Sequence, residues 1–348
     1  MDNLLRDVAT SVFEALRTGR CSNTLGSGGR PATSLTDRQL VAPLVATVLL
    51  ALIVLCGCGA GHPPAASTGA PAHLVVLGDP HLPGNNLAAK RAVLARINSW
   101  RDVALVVAVG DLTERYGTDR EYAAAAAYFH NLRHPLAAIV GNHDYFFKTL
   151  YPLAARGYIR APFVFQQAKL AKFRQTFGLN QHYYKLEIDG YLLLFLSTDH
   201  DRFGTGISEA QLIWLRNQLF RHRNQPTIIF AHPPLQGTQT RFRHYVNRPN
   251  AVIQPAAWMH MLLITNPQVF LWVSGHTHTP PTEASYASFI NLYADRIVNI
   301  HNNSMKRDTI WSNSLYLYPD RVQVRTFNHR ENRWQAEFDR TIFVLPPR

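Results

Sequence analysis

Cysteine is nearly absent from this chain, and its distribution is uneven: Cys21, Cys56 and Cys58 are the three, all before residue 60. The remainder therefore contains neither a disulfide nor a cysteine metal site, so any metal there must be held by nitrogen and oxygen donors. Charged residues are sparse at 17%, against 47% hydrophobic, a globular profile without bulk disorder. No run of Lys or Arg interleaved with aromatics reads as a nucleic-acid surface, although the formal net charge is +12. That charge fits an anionic partner such as a phosphate ester. It fits equally a coding bias toward Arg and Ala. No internal repeat is present, and no apolar run reaches the ~20 residues a spanning helix needs.

The longest uncharged apolar run is Leu40–Leu55, interrupted by Pro43, preceded by Arg30 and Arg38 and followed by Cys56-Gly57-Cys58. A basic flank, an apolar stretch and small residues describe a secretory signal. Leu55-Cys56-Gly57-Cys58 resembles a bacterial lipobox with Cys58 as the lipidated residue. An uncleaved anchor and a plain signal peptide are the alternatives. The expected organisation is an N-terminal extension over 1–39, either a cytoplasmic helix or the product of a start codon set too far upstream, a signal or anchor over 40–58, and a flexible Pro/Ala/Gly/Ser tether over 59–72. A single domain then fills 73–348. This places the domain outside the cytoplasm, tethered to the membrane.

Within the domain, apolar runs and helical patterns alternate. Strands are expected at 73–77, 103–109 and 136–140, with helices at 87–100 and 119–133 between them, the signature of parallel βαβ units. Residues 145–180 read as an insertion of two helices, whose aromatics Tyr145, Phe146, Phe147 and Tyr151 either line the mouth of a site or pack as an ordinary helical cap. Asp189-Gly190 marks a hairpin, and Ser208 with Gln211 a capping box opening a helix to Arg221. Later strands at 296–300, 309–318, 321–327 and 335–344 are expected to complete a second sheet.

Five of the apolar runs end in polar residues that are poor core material. They are Gly78-Asp79-Pro80-His81, Gly110-Asp111, Gly141-Asn142-His143-Asp144, Ala231-His232-Pro233-Pro234 and Gly275-His276-Thr277-His278. In parallel α/β sheets, ligands gather at the carboxyl ends of strands. In an extended segment the two-residue spacing of Asp79 with His81, and of His276 with His278, would turn both side chains to one side. Pooled, Asp79, His81, Asp111, Asn142, His232, His276 and His278 suffice for two divalent cations, Mn, Fe, Zn or Co, roughly 3.5–4 Å apart. Taken singly, a His-x-His is more often a surface pair and a Gly-Asp a turn; five such accidents in one order are improbable.

The order Asp-x-His, Gly-Asp, Gly-Asn-His-Asp, His, Gly-His-x-His, over about residues 73–280, resembles the calcineurin-like metallophosphoesterase superfamily. Gly110-Asp111-Leu112-Thr113 with Glu121-Tyr122, and Gln211-Leu212-x-Trp214-Leu215, look most like its cyclic-nucleotide and glycerophosphodiester phosphodiesterase branch. The resemblance implies a four-layer α/β-β/α sandwich of two mixed sheets that hydrolyses phosphodiesters through a metal-bridging hydroxide. It further implies that Asp79, His81, Asp111 and His278 hold one metal, and that Asp111, Asn142, His232 and His276 hold the other. His143 would face the substrate phosphate as a catalytic residue, oriented by Asp144. Phosphomonoester hydrolysis, and a metal-containing scaffold without catalysis, are the alternatives. Arg241, Arg243 and His244, with Arg248, follow His232 in a loop that would overhang the site and grip a second phosphate, though a solvated basic loop explains them as well.

Overall fold

Runs such as Leu74–Leu77 and Val103–Val109 are apolar on both sides, which suits strands covered on both faces. They form two six-stranded sheets, each with parallel and antiparallel pairs. The computed structural model describes residues 69–150, 157–200, 203–240 and 246–344.

The first sheet is built from β1 (Ala72–Leu77), β2 (Val103–Val109) and β3 (Leu136–Ile139), parallel to one another, with α1 (Leu87–Ser99) and α2 (Asp119–Phe129) as crossovers. A short α3 (Asn142–Tyr145) follows, and α4 (Phe163–Phe177) packs beside α2. The second sheet takes β4 (Tyr184–Ile188), β5 (Tyr191–Leu196), β6 (Thr227–Ala231), β7 (Val269–Ser274), β8 (Leu292–Tyr293) and β9 (Ile297–His301), with α5 (Glu209–Arg221) and α6 (Ala256–Ile264) as its crossovers. The β4–β5 turn has φ of +48° at Asp189 and +83° at Gly190, the left-handed pair a two-residue hairpin requires.

The chain ends on β10 (Trp311–Leu317), β11 (Arg321–Asn328) and β12 (Arg333–Phe343). These strands do not complete the second sheet, as the sequence led us to expect. They extend the first, because β10 pairs antiparallel with β1, Ala72 opposite Leu317, giving the order β12-β11-β10-β1-β2-β3. A local apolar pattern cannot say which sheet edge a late strand will join.

Three apolar layers hold the four structural layers together. Leu74, Val76, Val107, Leu193, Phe230 and Val273 are among the side chains filling the space between the sheets. Val75, Val106, Val93, Tyr122 and Phe173 join the first sheet to α1, α2 and α4. Leu194, Ile229, Trp272, Leu215 and Leu263 join the second to α5 and α6. The result is the α/β-β/α sandwich.

In the insertion, α4 is the one helix beyond α3 among the described residues. Its opening is a return strand, with Phe147 bridged to Arg160. Tyr145 and Phe146 are buried rather than at a mouth, because the apolar core beneath α3 takes them in. Tyr151 lies outside the described residues. The capping box at α5 is half formed: the Gln211 N–H donates to Ser208 Oγ, while the Gln211 side chain bonds both main-chain groups of Ser197 at 2.8 and 2.9 Å. Among the described residues no helix is long and apolar enough to cross a membrane. The 40–55 run, Cys58 and most of the tether lie outside them.

Candidate metal centre

The carboxyl ends of β1, β2 and β3 meet those of β6 and β7, and the polar strand ends converge there. Two groups of donor atoms form, each with its atoms within 4.8 Å of one another: Asp79, His81, Asp111 and His278 in one, Asp111, His232 and His276 in the other. Asp111 is common to both. Asn142 adjoins the second group, its Oδ1 lying 3.0 Å from His232 Nε2. All seven side chains that the sequence pattern singled out are thus brought together.

The local route differs from the expectation. Asp79, His81, Asp111, His276 and His278 have φ of +43°, +46°, +53°, +64° and +55°, all left-handed, so neither x-spaced pair sits in extended backbone. Non-glycine residues avoid this region, and five of them at one site amount to stored strain. The twist also sends His276 and His278 to different groups rather than to one side. The glycines before the donors are explained by close approach. A Cβ on Gly141 would lie 2.3 Å from Asp111 Oδ1, and one on Gly275 would lie 2.3 Å from Asp79 Oδ2.

Four of the imidazoles are aimed by main-chain carbonyls. His81 Nδ1 lies 3.2 Å from the Glu114 carbonyl, and His143 Nδ1 3.2 Å from that of Arg115. His232 Nδ1 lies 2.8 Å from the Val109 carbonyl, and His276 Nε2 2.9 Å from that of Asn250. A carbonyl only accepts, so each of these ring nitrogens must carry hydrogen, and the other nitrogen points inward. His81 Nε2 then faces His278 Nε2 at 3.2 Å, and His232 Nε2 faces His276 Nδ1 at 3.1 Å. His232 Nε2 and His276 Nδ1 would present two lone pairs at that distance and need a proton or a cation between them, whereas His278 can bring its own proton to His81. The carboxylates add to the demand: His278 Nε2 is 3.3 Å from Asp79 Oδ1, and His232 Nε2 is 3.3 Å from Asp111 Oδ1.

The electrostatics agree. Burial holds His81 well below the usual imidazole range and draws His143 and His276 down to about 4, so all three are neutral. Burial also opposes a proton on His232, but Asp111, by charge and hydrogen bond, outweighs it and keeps that imidazole up at about 9. Burial works to raise Asp111, yet the charges of His232 and His143 keep it well below the carboxylate range. Buried carboxylates and inward imidazoles that demand positive charge fit divalent cations, and the donors (carboxylate, imidazole, amide) suit Mn, Fe, Zn or Co.

His143 stands just outside both groups, its Nε2 3.9 Å from Asp111 Oδ2. Its own N–H donates to Asp111 Oδ1 at 2.8 Å. Asp144 was expected to orient the His143 ring. Its hydrogen bonds go elsewhere: Oδ1 accepts from the Thr113 N–H at 2.8 Å and from Thr113 Oγ1 at 3.0 Å, and Oδ2 accepts from the Gly141 N–H at 2.8 Å. Asp144 therefore fixes the loops on either side of Asp111, and the Arg115 carbonyl orients the ring. The cause is the turn of α3, which brings residue 144 back over Gly141 and away from the imidazole.

Arg241, Arg243 and His244 lie outside the described residues. Two contributors escaped the sequence pattern. Thr113 was visible only as part of Gly110–Thr113, yet its one hydroxyl proton is shared between Asp144 Oδ1 and the His143 carbonyl, each 3.0 Å away. Lys306 follows Met305, whose N–H donates to the Asp79 carbonyl at 3.1 Å, and its side chain reaches solvent. Partial burial draws the Lys306 ammonium down while the charges of Asp111 and Asp79 hold it up. The signal for it was a sixth apolar run with a polar end, Ile297–Ile300 followed by His301-Asn302-Asn303-Ser304.

Three solved structures share the fold. A dimetal phosphatase from Danio rerio is 15% identical with a TM-score of 0.56, over 80% of this chain and 100% of that one. A purple acid phosphatase from yellow lupin (Lupinus luteus) is 14% identical with a TM-score of 0.57, over 80% of this chain and 55% of that one. GAP50, described as the anchor in the inner membrane complex of Plasmodium, is 11% identical with a TM-score of 0.52, over 80% of this chain and 91% of that one. No curated protein matches the sequence. The family model described as calcineurin-like phosphoesterase matches residues 72–280, a span that holds every donor of both groups. On that match, with the sandwich and the convergent donors behind it, the chain belongs to the calcineurin-like phosphoesterase family.

Proposed function

We propose that this chain hydrolyses phosphate esters at a centre of two divalent cations, phosphodiesters ahead of phosphomonoesters, as in the cyclic-nucleotide and glycerophosphodiester branch it resembles. One observation carries the reading: Asp111 is shared by two donor groups, and in each of them two inward ring nitrogens approach one another, at 3.2 and 3.1 Å. Asp79, His81, Asp111 and His278 would hold one cation, and Asp111, Asn142, His232 and His276 the other. When bound, such cations supply Lewis-acid activation of water and of the phosphoryl group.

The chain's own residues supply the rest. His143 has its Nδ1–H committed to the Arg115 carbonyl, so Nε2 is the ring atom left to hold a transferable proton. An anionic phosphoryl group beside it favours that proton, and Nε2 can then deliver it to the departing alcohol oxygen. A scaffold without chemistry has no use for a neutral imidazole positioned in this way, which argues against the non-catalytic alternative.

Lys306, whose ammonium feels the charges of Asp111 and Asp79, offers a further test of the reading. A cation beside a two-cation centre is repelled unless an anion comes between them. Lys306→Ala is accordingly expected to raise KM for phosphate esters about tenfold with little change in kcat, and the loss should shrink as salt rises. An unchanged KM would remove Lys306 from the site.

Turnover of bis(p-nitrophenyl) phosphate against p-nitrophenyl phosphate, with Mn²⁺ present, decides between diester and monoester. The name of the Danio rerio neighbour, a dimetal phosphatase, makes the monoester the second reading. Faster turnover of the diester is expected. Equal failure on both in metal-loaded protein would sink the catalytic reading, and plasmid degradation would reveal nucleic-acid cleavage instead.

A further inference from the structure

One flank of the site is a wall of aromatic rings. After α3 the chain doubles back, with the Lys148 N–H donating to the Ile159 carbonyl at 2.6 Å and the Ala161 N–H to the Phe146 carbonyl at 2.8 Å. This return sets Tyr158 against His143, ring centroids 5.1 Å apart and planes at 86°. Phe147 flanks the same imidazole at 5.2 Å, and the Phe147 and Tyr158 rings lie 4.7 Å from each other. Tyr116 stands behind them, its centroid 6.3 Å from that of Tyr158 and its hydroxyl donating to the Gly157 carbonyl at 3.1 Å.

The wall is held from within. Lys169 Nζ donates to the carbonyls of Tyr116 and Phe147, both at 2.5 Å, so one ammonium clamps the backbone under two of the rings. That cation is drawn toward the interior, and burial brings it down to about 8. The outer side is different: Tyr158 is 53% exposed. A ring fixed on its protein side and left half in water, in contact with the residue that faces the departing group, offers a stacking surface.

We propose that Tyr158 and Phe147 form the leaving-group subsite, and that it takes phosphate esters whose alcohol carries a planar ring, aryl or nucleoside. The assignment of this flank to the leaving group rests on the phosphoesterase reading above. Stacking tolerates any planar ring and discriminates against aliphatic alcohols, which present no π-face. Selectivity for the alcohol then resides in the insertion rather than in the metal-binding motifs.

The test uses the full chain loaded with Mn²⁺ and two ligands that cannot be hydrolysed, phenylphosphonate and methylphosphonate, titrated by calorimetry. They share the phosphoryl head and differ in the ring. Phenylphosphonate is expected to bind about tenfold tighter. Tyr158→Leu should bring the ratio to about one, and Tyr158→Phe should keep it. Adenosine 5′-phosphorothioate, run in parallel, separates the two sources: tighter binding than phenylphosphonate assigns the subsite to nucleosides, weaker binding to aryl alcohols. A ratio near one in the unaltered protein, or the same ratio in Tyr158→Leu, overturns the proposal. Turnover of bis(p-nitrophenyl) phosphate is measured separately. Turnover without ring preference defeats the subsite and leaves hydrolysis standing. Ring preference without turnover removes hydrolysis and with it the leaving-group assignment, leaving a ring-binding site, and no binding of either phosphonate defeats the subsite.

Discussion

Asp111→Ala is expected to abolish turnover, by at least about a thousandfold, and to strip the protein of most of its metal. Asp111 is the side chain common to both donor groups, and each of its oxygens serves a different side. Oδ1 lies 3.3 Å from His232 Nε2 and accepts the His143 N–H at 2.8 Å, while Oδ2 lies 3.7 Å from His81 Nε2. Removing it deletes the negative charge that balances two cations and leaves inward imidazoles with little to hold them. Asp111→Asn separates shape from charge, because it keeps an oxygen for the His143 N–H. It should fold like the parent and still lose metal. The measurement is metal per chain by elemental analysis beside turnover of bis(p-nitrophenyl) phosphate. Full metal content in both variants would show that Asp111 is not shared.

The second large effect runs the other way. His143→Ala is expected to leave metal content unchanged while slowing turnover about 10²- to 10⁴-fold, the range for loss of a positioned acid or base. The imidazole belongs to neither donor group. What ties residue 143 to Asp111 most closely is its main-chain N–H, which the substitution retains. The lost capacity is therefore a proton at Nε2, with the metal geometry intact, and the decrease should fall on kcat and kcat/KM together. Metal loss in parallel with activity would make His143 a structural prop of the centre instead.

These two expectations draw on what the sequence made visible and on what only the fold supplies. Short apolar runs ending in Asp, Asn or His could be read as strand ends carrying donors, because burial makes such residues expensive anywhere else. Donors on parallel strands could then be placed at one end of a sheet. Period-2 reasoning reached the right outcome for Asp79 and His81, which share a donor group, by the wrong route, and failed for His276 and His278, since both pairs sit in left-handed backbone that only the surrounding contacts can enforce. The partners of Asp144 were hidden for a similar reason: its acceptors are satisfied by Thr113 and Gly141, residues that the α3 turn brings within reach. The destination of β10–β12 depended on an antiparallel pairing of β10 with β1 from the opposite end of the domain, Ala72 with Leu317, for which no local signal exists. Nothing in the sequence singled out Tyr158; the pairing of 146–148 with 159–161 is what puts it against His143.

Titration with Mn²⁺ followed by electron paramagnetic resonance addresses the central claim most directly, because it counts the ions and reports whether they share a bridging group. Two equivalents per chain with an exchange-coupled spectrum, lost in Asp111→Asn, is the predicted result. No saturable binding, or two ions without coupling, would contradict it.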